Sequence, residues 1–264
     1  MRGVSTTPIV VRGYECGLDR TVSLPVITSY FEHARWGWVL RPDFGLVDGL
    51  NTGHFFVVQR QVVGIVHTAG IDTRAEARAA LRQCGRVHCE VDQDLVRADG
   101  VLLARGRVTG VWIGPNGRPA RIPDATRTAV TDAPLAATAP TDDAPTDDAR
   151  SADPRSYLAP PRATYDDPLV PVDWPTAPPD PVVRAFTVRR SDCDMFQHVN
   201  GANYLRWFED ALDASVRWAD LGYAGETRAG DPVEVWRWPL PDGAHALQVR
   251  RAGEVRCRAV VRVA

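Results

Sequence analysis

The chain contains no lysine. All 31 of its basic residues are arginines, set against 33 acidic ones, for a net charge of -2. Any contact with a polyanion must therefore use guanidinium forks rather than ammonium groups. The near balance of charge gives no reason to expect a nucleic-acid or anionic-membrane partner. Ala, Val, Gly and Pro are abundant, so the missing lysine reads as compositional bias rather than function. The opening stretch "MRGVSTTPIVVRGYECGLDR" lacks an apolar core of signal-peptide length, and no run of about 18 apolar residues occurs anywhere. The expectation is a soluble, cytoplasmic protein. Five cysteines (Cys16, Cys84, Cys89, Cys193, Cys257) form no CxxC pair and are odd in number. Neither a disulfide framework nor a zinc site follows from them, and no metal or cofactor is expected.

What is present is a globular composition, 44% hydrophobic and 24% charged over 264 residues, enough for one large domain or two small ones. Residues 124–180 break the pattern: they are rich in Pro, Asp, Ala and Thr, with almost no amphipathic period. Such a segment buries too little apolar surface to offset its ordering entropy. Its first half, to about Pro154, reads as mobile. Its second half carries Tyr157, Leu158, Tyr165, Leu169, Val170 and Trp174, and reads as an extended strap over a folded surface. The predicted units are residues 1–123, a linker over 124–180, and residues 181–264.

The two units repeat. "VRGYECGLDRTVSLPVITSYFEHAR" (Val11 to Arg35) aligns without a gap on "VRRSDCDMFQHVNGANYLRWFEDAL" (Val188 to Leu212). Val-Arg matches Val-Arg, Glu15-Cys16 matches Asp192-Cys193, and Phe31-Glu32 matches Phe208-Glu209. Each unit predicts a short strand, a polar turn and a helix. The apolar stripes are Ile27, Tyr30, Phe31, Ala34 and Trp38 in the first, and Tyr204, Phe208, Ala211, Leu212 and Val216 in the second, at spacings of three and four. Trp36, Trp38, Trp207 and Trp218 fall on or near these helices, mostly as core, with some free to line a channel. Strand-like runs follow: residues 54–68, 86–98 and 101–114 in the first unit, and 232–238, 245–251 and 254–264 in the second. The turn signals "RADG", "GPNG" and "LPDG" separate them. Residues 73–85, "TRAEARAALRQCG", have helix propensity but alternate Ala77, Ala79 and Leu81 against Arg78 and Arg82. Their place inside a meander favours a strand. A helix followed by an antiparallel meander, done twice, is α+β architecture.

The chemistry-bearing stretch is "RRSDCDMFQHVNGANYLRWFEDA", which sets Asp192, Asp194, His198 and Asn200 ahead of a helix. Asn200 and Asp192 suit helix capping, Asn200 equally suits a site, and Asp194 with His198 four residues on suits acid–base work. Glu32 and Glu209, inside helices, read as structural pairs. His54, His67, His88 and His245 are isolated.

The pattern resembles the signature of hotdog-fold thioesterases, in which an Asp precedes a "HVNNxxYLxWxE" helix. The doubled unit resembles the tandem-hotdog acyl-ACP thioesterases, with kinship to 4-hydroxybenzoyl-CoA thioesterase-like proteins. The resemblance implies two tandem hotdog units, each a long central helix wrapped by an antiparallel sheet, paired side by side. It implies hydrolysis of an acyl thioester of acyl carrier protein or coenzyme A, with Asp194 as base or nucleophile, His198 assisting and Asn200 beside them. Glu226, in "YAGET", is a faint echo of a further family position. Phe196 stands where plant members carry an asparagine. Phe196, Gly201 and Tyr204 are the substrate-binding candidates, with the free N–H groups of the helix start facing the carbonyl oxygen. In the first unit Gly17 and Thr21 take the places of Asp194 and His198, so that unit is expected to be catalytically empty, an interface and a wall. Two other functions compete: a dehydratase or cyclase acting on a carrier-bound polyketide-like chain, and a non-catalytic binder of acyl carriers. Against the first, a hydratase-type Asp-x-Asn-Pro-x-His is absent. Arg189, Arg190 and Arg206 are placed to meet carrier phosphates. A monomer suffices, and a homo-oligomer is possible.

Overall fold

The computed structural model describes residues 3–131, 135 and 171–264. The first half supplies β1 (Val4–Val10), α1 (Leu24–Val39), α2 (Leu46–Asn51), β2 (Phe55–Ile65), β3 (Arg74–Cys84), β4 (His88–Arg97), β5 (Leu102–Ile113) and the short α3 (Asp124–Arg127). The second supplies β6 (Val182–Thr187), α4 (Gly201–Leu212), β7 (Val216–Tyr223), β8 (Pro232–Pro239), β9 (His245–Arg251) and β10 (Glu254–Val263). The strands form one antiparallel sheet in the order β1-β3-β4-β5-β2-β7-β10-β9-β8-β6. Read from either outer edge inward, the order within each half is the same. The halves meet where β2 pairs with β7, Val62 opposite Asp220 and Gly64 opposite Trp218.

The long helices occupy the core. On α1 the predicted stripe Ile27, Tyr30, Phe31, Ala34 and Trp38 is buried throughout. Pro25 sits in the first turn, where its missing N–H costs no hydrogen bond, and the helix runs out before Pro42. Helix α4 buries Tyr204, Leu205, Trp207 and Phe208, and packs against α1. It stops at Asp213, whose left-handed φ of 54° closes the last turn.

That stop corrects one expectation. Val216 and Trp218 lie on β7, not on the helix or its continuation. The strand escapes a period-based reading because it is central and carries the buried polar residues Arg217 and Asp220 among its apolar ones. Residues 73–85 do form a strand. Ala77, Ala79 and Leu81 are buried while Arg78 and Arg82 are partly exposed, so tertiary pairing overrides helix propensity. Thr126 and Ala129 are buried, and Thr126 Oγ1 donates to Phe44 O at 2.6 Å, which ties α3 to the first half. Most of the segment expected to be mobile and most of the expected strap lie outside the described residues; Trp174 lies within them, against the sheet beside Gly222. Among the described residues, no helix is long and apolar enough to cross a membrane.

Candidate active site

The repeated stretch folds the same way twice. Gly13–Glu15 and Arg190–Asp192 are equivalent 3-10 turns. In each, an acid at the third position accepts from a backbone N–H: Arg12 N to Glu15 Oε2 at 2.7 Å, and Arg189 N to Asp192 Oδ2 at 2.9 Å. A bridge then pairs Cys16 with Val22, and Cys193 with Val199. The residue at the turn's tip has a positive φ in both halves, 63° at Arg20 and 64° at Gln197. The backbone frame is thus duplicated, and what differs is the side chains it carries. Asp192 is a structural acid in this frame, as its counterpart Glu15 is.

In the second half the frame displays Asp194 and His198. Asp194 Oδ1 accepts from Phe196 N at 2.9 Å, and Asp194 N donates to His198 O at 3.0 Å. This local ring turns the second carboxylate oxygen toward the imidazole, with His198 Nδ1 at 3.7 Å from Asp194 Oδ2. Asn200 is a true N-cap: its Oδ1 accepts from Ala202 N at 2.9 Å. Its Nδ2 donates in the other direction, across to Glu32 Oε2 of α1 at 2.8 Å. Phe196, 41% exposed, stacks between Trp36 of the first half and His198, with ring centroids 6.1 and 5.9 Å away.

These groups line one cavity of about 460 Å³ between α1 and α4. All seven sequence candidates reach it: Asp194, Phe196, His198, Asn200, Gly201, Tyr204 and Glu226. Glu226 sits at its exposed lip, paired with Arg228 at 3.0 Å. The opposite wall belongs to the first half and is mostly apolar, with Trp36, Trp38, Leu50, Phe56, Val91 and Trp112 among its residues. Burial keeps the hydroxyls of Tyr204 and Tyr223 protonated, since it raises both pKa values. Burial also lowers the pKa of Arg35, whose guanidinium donates to Gln93 Oε1 at 3.0 Å.

Glu32, Gln61 and Tyr223 are among the polar cavity residues that the sequence reading does not single out. Glu32 was assigned to a structural pair; it faces the cavity and accepts from Asn200 and, at 3.4 Å, from Trp36 Nε1. Gln61 and Tyr223 belong to β2 and β7; Gln61 carries no local motif, and Tyr223 only opens the faint "YAGET" echo. The one available signal was the repeat itself, which marks Glu32 and Glu209 as equivalent.

The position related to the cavity by the repeat is filled. Thr21, in place of His198, accepts from Arg217 Nη1 at 2.9 Å, and Asp19 pairs with the same guanidinium. Arg217 is 4% exposed and occupies this place as a plug. Beside it Glu209 accepts from Val216 N at 3.0 Å, and burial pushes its carboxyl up to about 7. A carboxyl whose folded pKa is raised contributes most stability below its unfolded value, near 4.3, and loses that contribution as pH rises through about 7. Glu209→Gln keeps the acceptor and removes the titration. Melting curves from pH 5 to 8 should show the variant gaining on the parent as pH rises; parallel curves would exclude this origin.

Over residues 177–238 the sequence matches the family model of the acyl-ACP thioesterase C-terminal domain. The matched segment is similar to that family and makes up less than a quarter of the chain. It contains all seven cavity candidates named above, and the family it matches is one of thioester hydrolases. No curated protein matches the sequence. Among solved structures, an acyl-ACP thioesterase from Bacteroides thetaiotaomicron VPI-5482 superposes with a TM-score of 0.75 at 15% identity, covering 98% of this chain and 96% of that one. A 12:0-ACP thioesterase from Umbellularia californica gives 0.69 at 19% identity, covering 98% and 96%. The fold is of the hotdog thioesterase type over nearly the whole chain.

Proposed function

We propose that this chain is two hotdog units in tandem and hydrolyses an acyl thioester of acyl carrier protein or coenzyme A in the cavity between α1 and α4. The observation that carries this reading is the convergence of the acidic turn, the helix start and the apolar wall on one cavity. Thioester hydrolysis needs an activated water, donors for the developing oxyanion and a dry slot for the acyl tail. Asp194 acts as general base. With Oδ1 held by Phe196 N, its other oxygen faces His198, so the two share the proton taken from water. The helix start at Gly201 faces the carbonyl oxygen, and the residue has no Cβ to meet the Tyr223 hydroxyl, which would lie 3.1 Å away. The first half provides the wall for the acyl chain and replaces the second subunit that a single hotdog unit would need. Arg189, Arg190 and Arg206 are exposed and suit the phosphates of either carrier.

The test is hydrolysis of a panel of short, long and aromatic acyl thioesters on both carriers, followed by thiol release. Turnover of at least one member, with preference by acyl chain, is expected. A well-folded protein that binds these thioesters without turnover would replace the reading by the non-catalytic one.

Phe196 should act on binding. Its ring is part of the cavity wall, so Phe196→Ala removes apolar surface that a bound acyl group would cover, about 1 kcal/mol, and should raise KM by roughly 5-fold. Steady-state kinetics checks this, and a fall confined to kcat would give Phe196 another role.

A further inference from the structure

Gln61 lies on β2, the first-half strand that pairs with β7, and lines the cavity. It is 3% exposed. Tyr223 Oη donates to its Oε1 at 3.4 Å, which fixes the amide and turns Nε2 away. That Nε2 is closed off from solvent and has no hydrogen-bond partner among the described residues. The other fully buried glutamine shows what a structural amide looks like here: Gln93 accepts from Arg35 and donates to Phe31 O at 2.8 Å, with both ends satisfied. A buried donor without an acceptor carries its full desolvation cost, and native structures keep few of them.

The surroundings of that donor are those of a carbonyl site. Tyr223, bonded to Gln61, lies against Gly201, the first residue of α4. The N–H of Gly201 is in the first turn, where no intrahelical acceptor exists. The next one, of Ala202, is taken by Asn200 Oδ1. Tyr223 thus touches both Gln61, which carries the unpartnered Nε2 on the first half, and Gly201 at the start of α4 on the second.

We propose that Gln61 is a catalytic residue that donates its amide N–H to the thioester carbonyl oxygen, opposite the start of α4. This rests on the hydrolase reading above and adds the first half to the chemistry. When water adds to the carbonyl carbon, the C=O π pair moves onto oxygen, and the negative charge is held by Gln61 Nε2 and the Gly201 N–H. Collapse re-forms C=O and breaks C–S. The departing thiolate takes up the proton removed from water, leaving one carboxylic acid and one thiol per water consumed. Gln61 is unchanged at the end.

The experiment compares Gln61→Met and Asp194→Asn with the parent on the best thioester of the panel. Met has nearly the same volume and lacks the donor. Loss of one oxyanion donor lowers kcat by about 10²-fold or more, with KM within a few-fold. The melting temperature should change little, because the unsatisfied Nε2 is removed while the Tyr223 hydroxyl loses a long, 3.4 Å acceptor. In Asp194→Asn protein holding a carbonyl-13C thioester, the infrared carbonyl band should move to higher frequency when Gln61→Met is added. Retained kcat in Gln61→Met, with Asp194→Asn inactive, would overturn the role of Gln61 and leave the site reading intact. A Gln61→Met protein that melts early or fails to fold would show a structural amide and overturn the role too. A parent that turns over no thioester would remove both.

Discussion

Asp194→Asn should lower kcat on the best thioester by about 10²- to 10⁴-fold, the range for loss of a positioned general base. The fold should survive the change. Asn keeps an oxygen for the Phe196 N–H, so the turn that carries His198 is preserved. The carboxylate is also one-fifth exposed and makes no arginine pair among the described residues, so removing its charge leaves no buried cation behind there. KM should change little, because the carboxylate acts on water and not on the acyl tail. Steady-state hydrolysis beside a thermal melt separates the cases. Unchanged turnover in a folded variant would take Asp194 out of the mechanism and turn attention to Glu32, the cavity carboxylate bonded to Asn200. A variant that loses turnover and stability together would instead place Asp194 among the residues that hold the turn.

The parts of this site that lie close in sequence were legible in it. Asp194, His198, Asn200 and Gly201 fall within eight residues, and a polar turn before an amphipathic helix can be read from spacing alone. Helix α1 was legible because one face is wholly buried. Strand β3 was legible because its alanines alternate with arginines, although propensity argued the other way. Strand β7 was not, because Arg217 and Asp220 sit inside it and are buried there by partners far away in sequence. The same reason hides Glu32, Gln61 and Tyr223. The partner of Glu32 is 168 residues along the chain, and that of Tyr223 is 162. Their meaning comes from the β2–β7 seam, which brings two halves into register, and a local pattern carries no record of it. The repeat shows that a seam between equivalent units should exist. It does not show that one of the two equivalent places is open and the other plugged by Arg217.

The seam itself rests on a buried charge, which yields the second large effect. Asp220, fully buried on β7, receives both nitrogens of an Arg60 fork from β2, Nε at 2.9 Å and Nη2 at 2.5 Å. The pair is closed by the segment crossing the sheet: Val172 N donates to Asp220 Oδ2 at 2.8 Å, and Arg60 Nη2 donates to Val172 O at 2.7 Å. The Trp174 ring then covers the guanidinium at 4.3 Å, over Gly222, where a Cβ would come within 2.5 Å of the ring. One ion pair thus joins β2, β7 and the strap. Arg60→Met leaves a carboxylate in the interior with a single backbone donor, and breaking a buried pair from one side costs about 3–5 kcal/mol. Because Arg60 is itself about one-third exposed, the lower end, about 3 kcal/mol, is expected. Urea unfolding should show that loss. The double variant Arg60→Met, Asp220→Leu should recover more than half of it, since the interior charge is then gone and only the strap's bonds are missing. Equal losses in the single and double variants would mean that the strap contacts, and not the charge pair, hold the two halves of the sheet together.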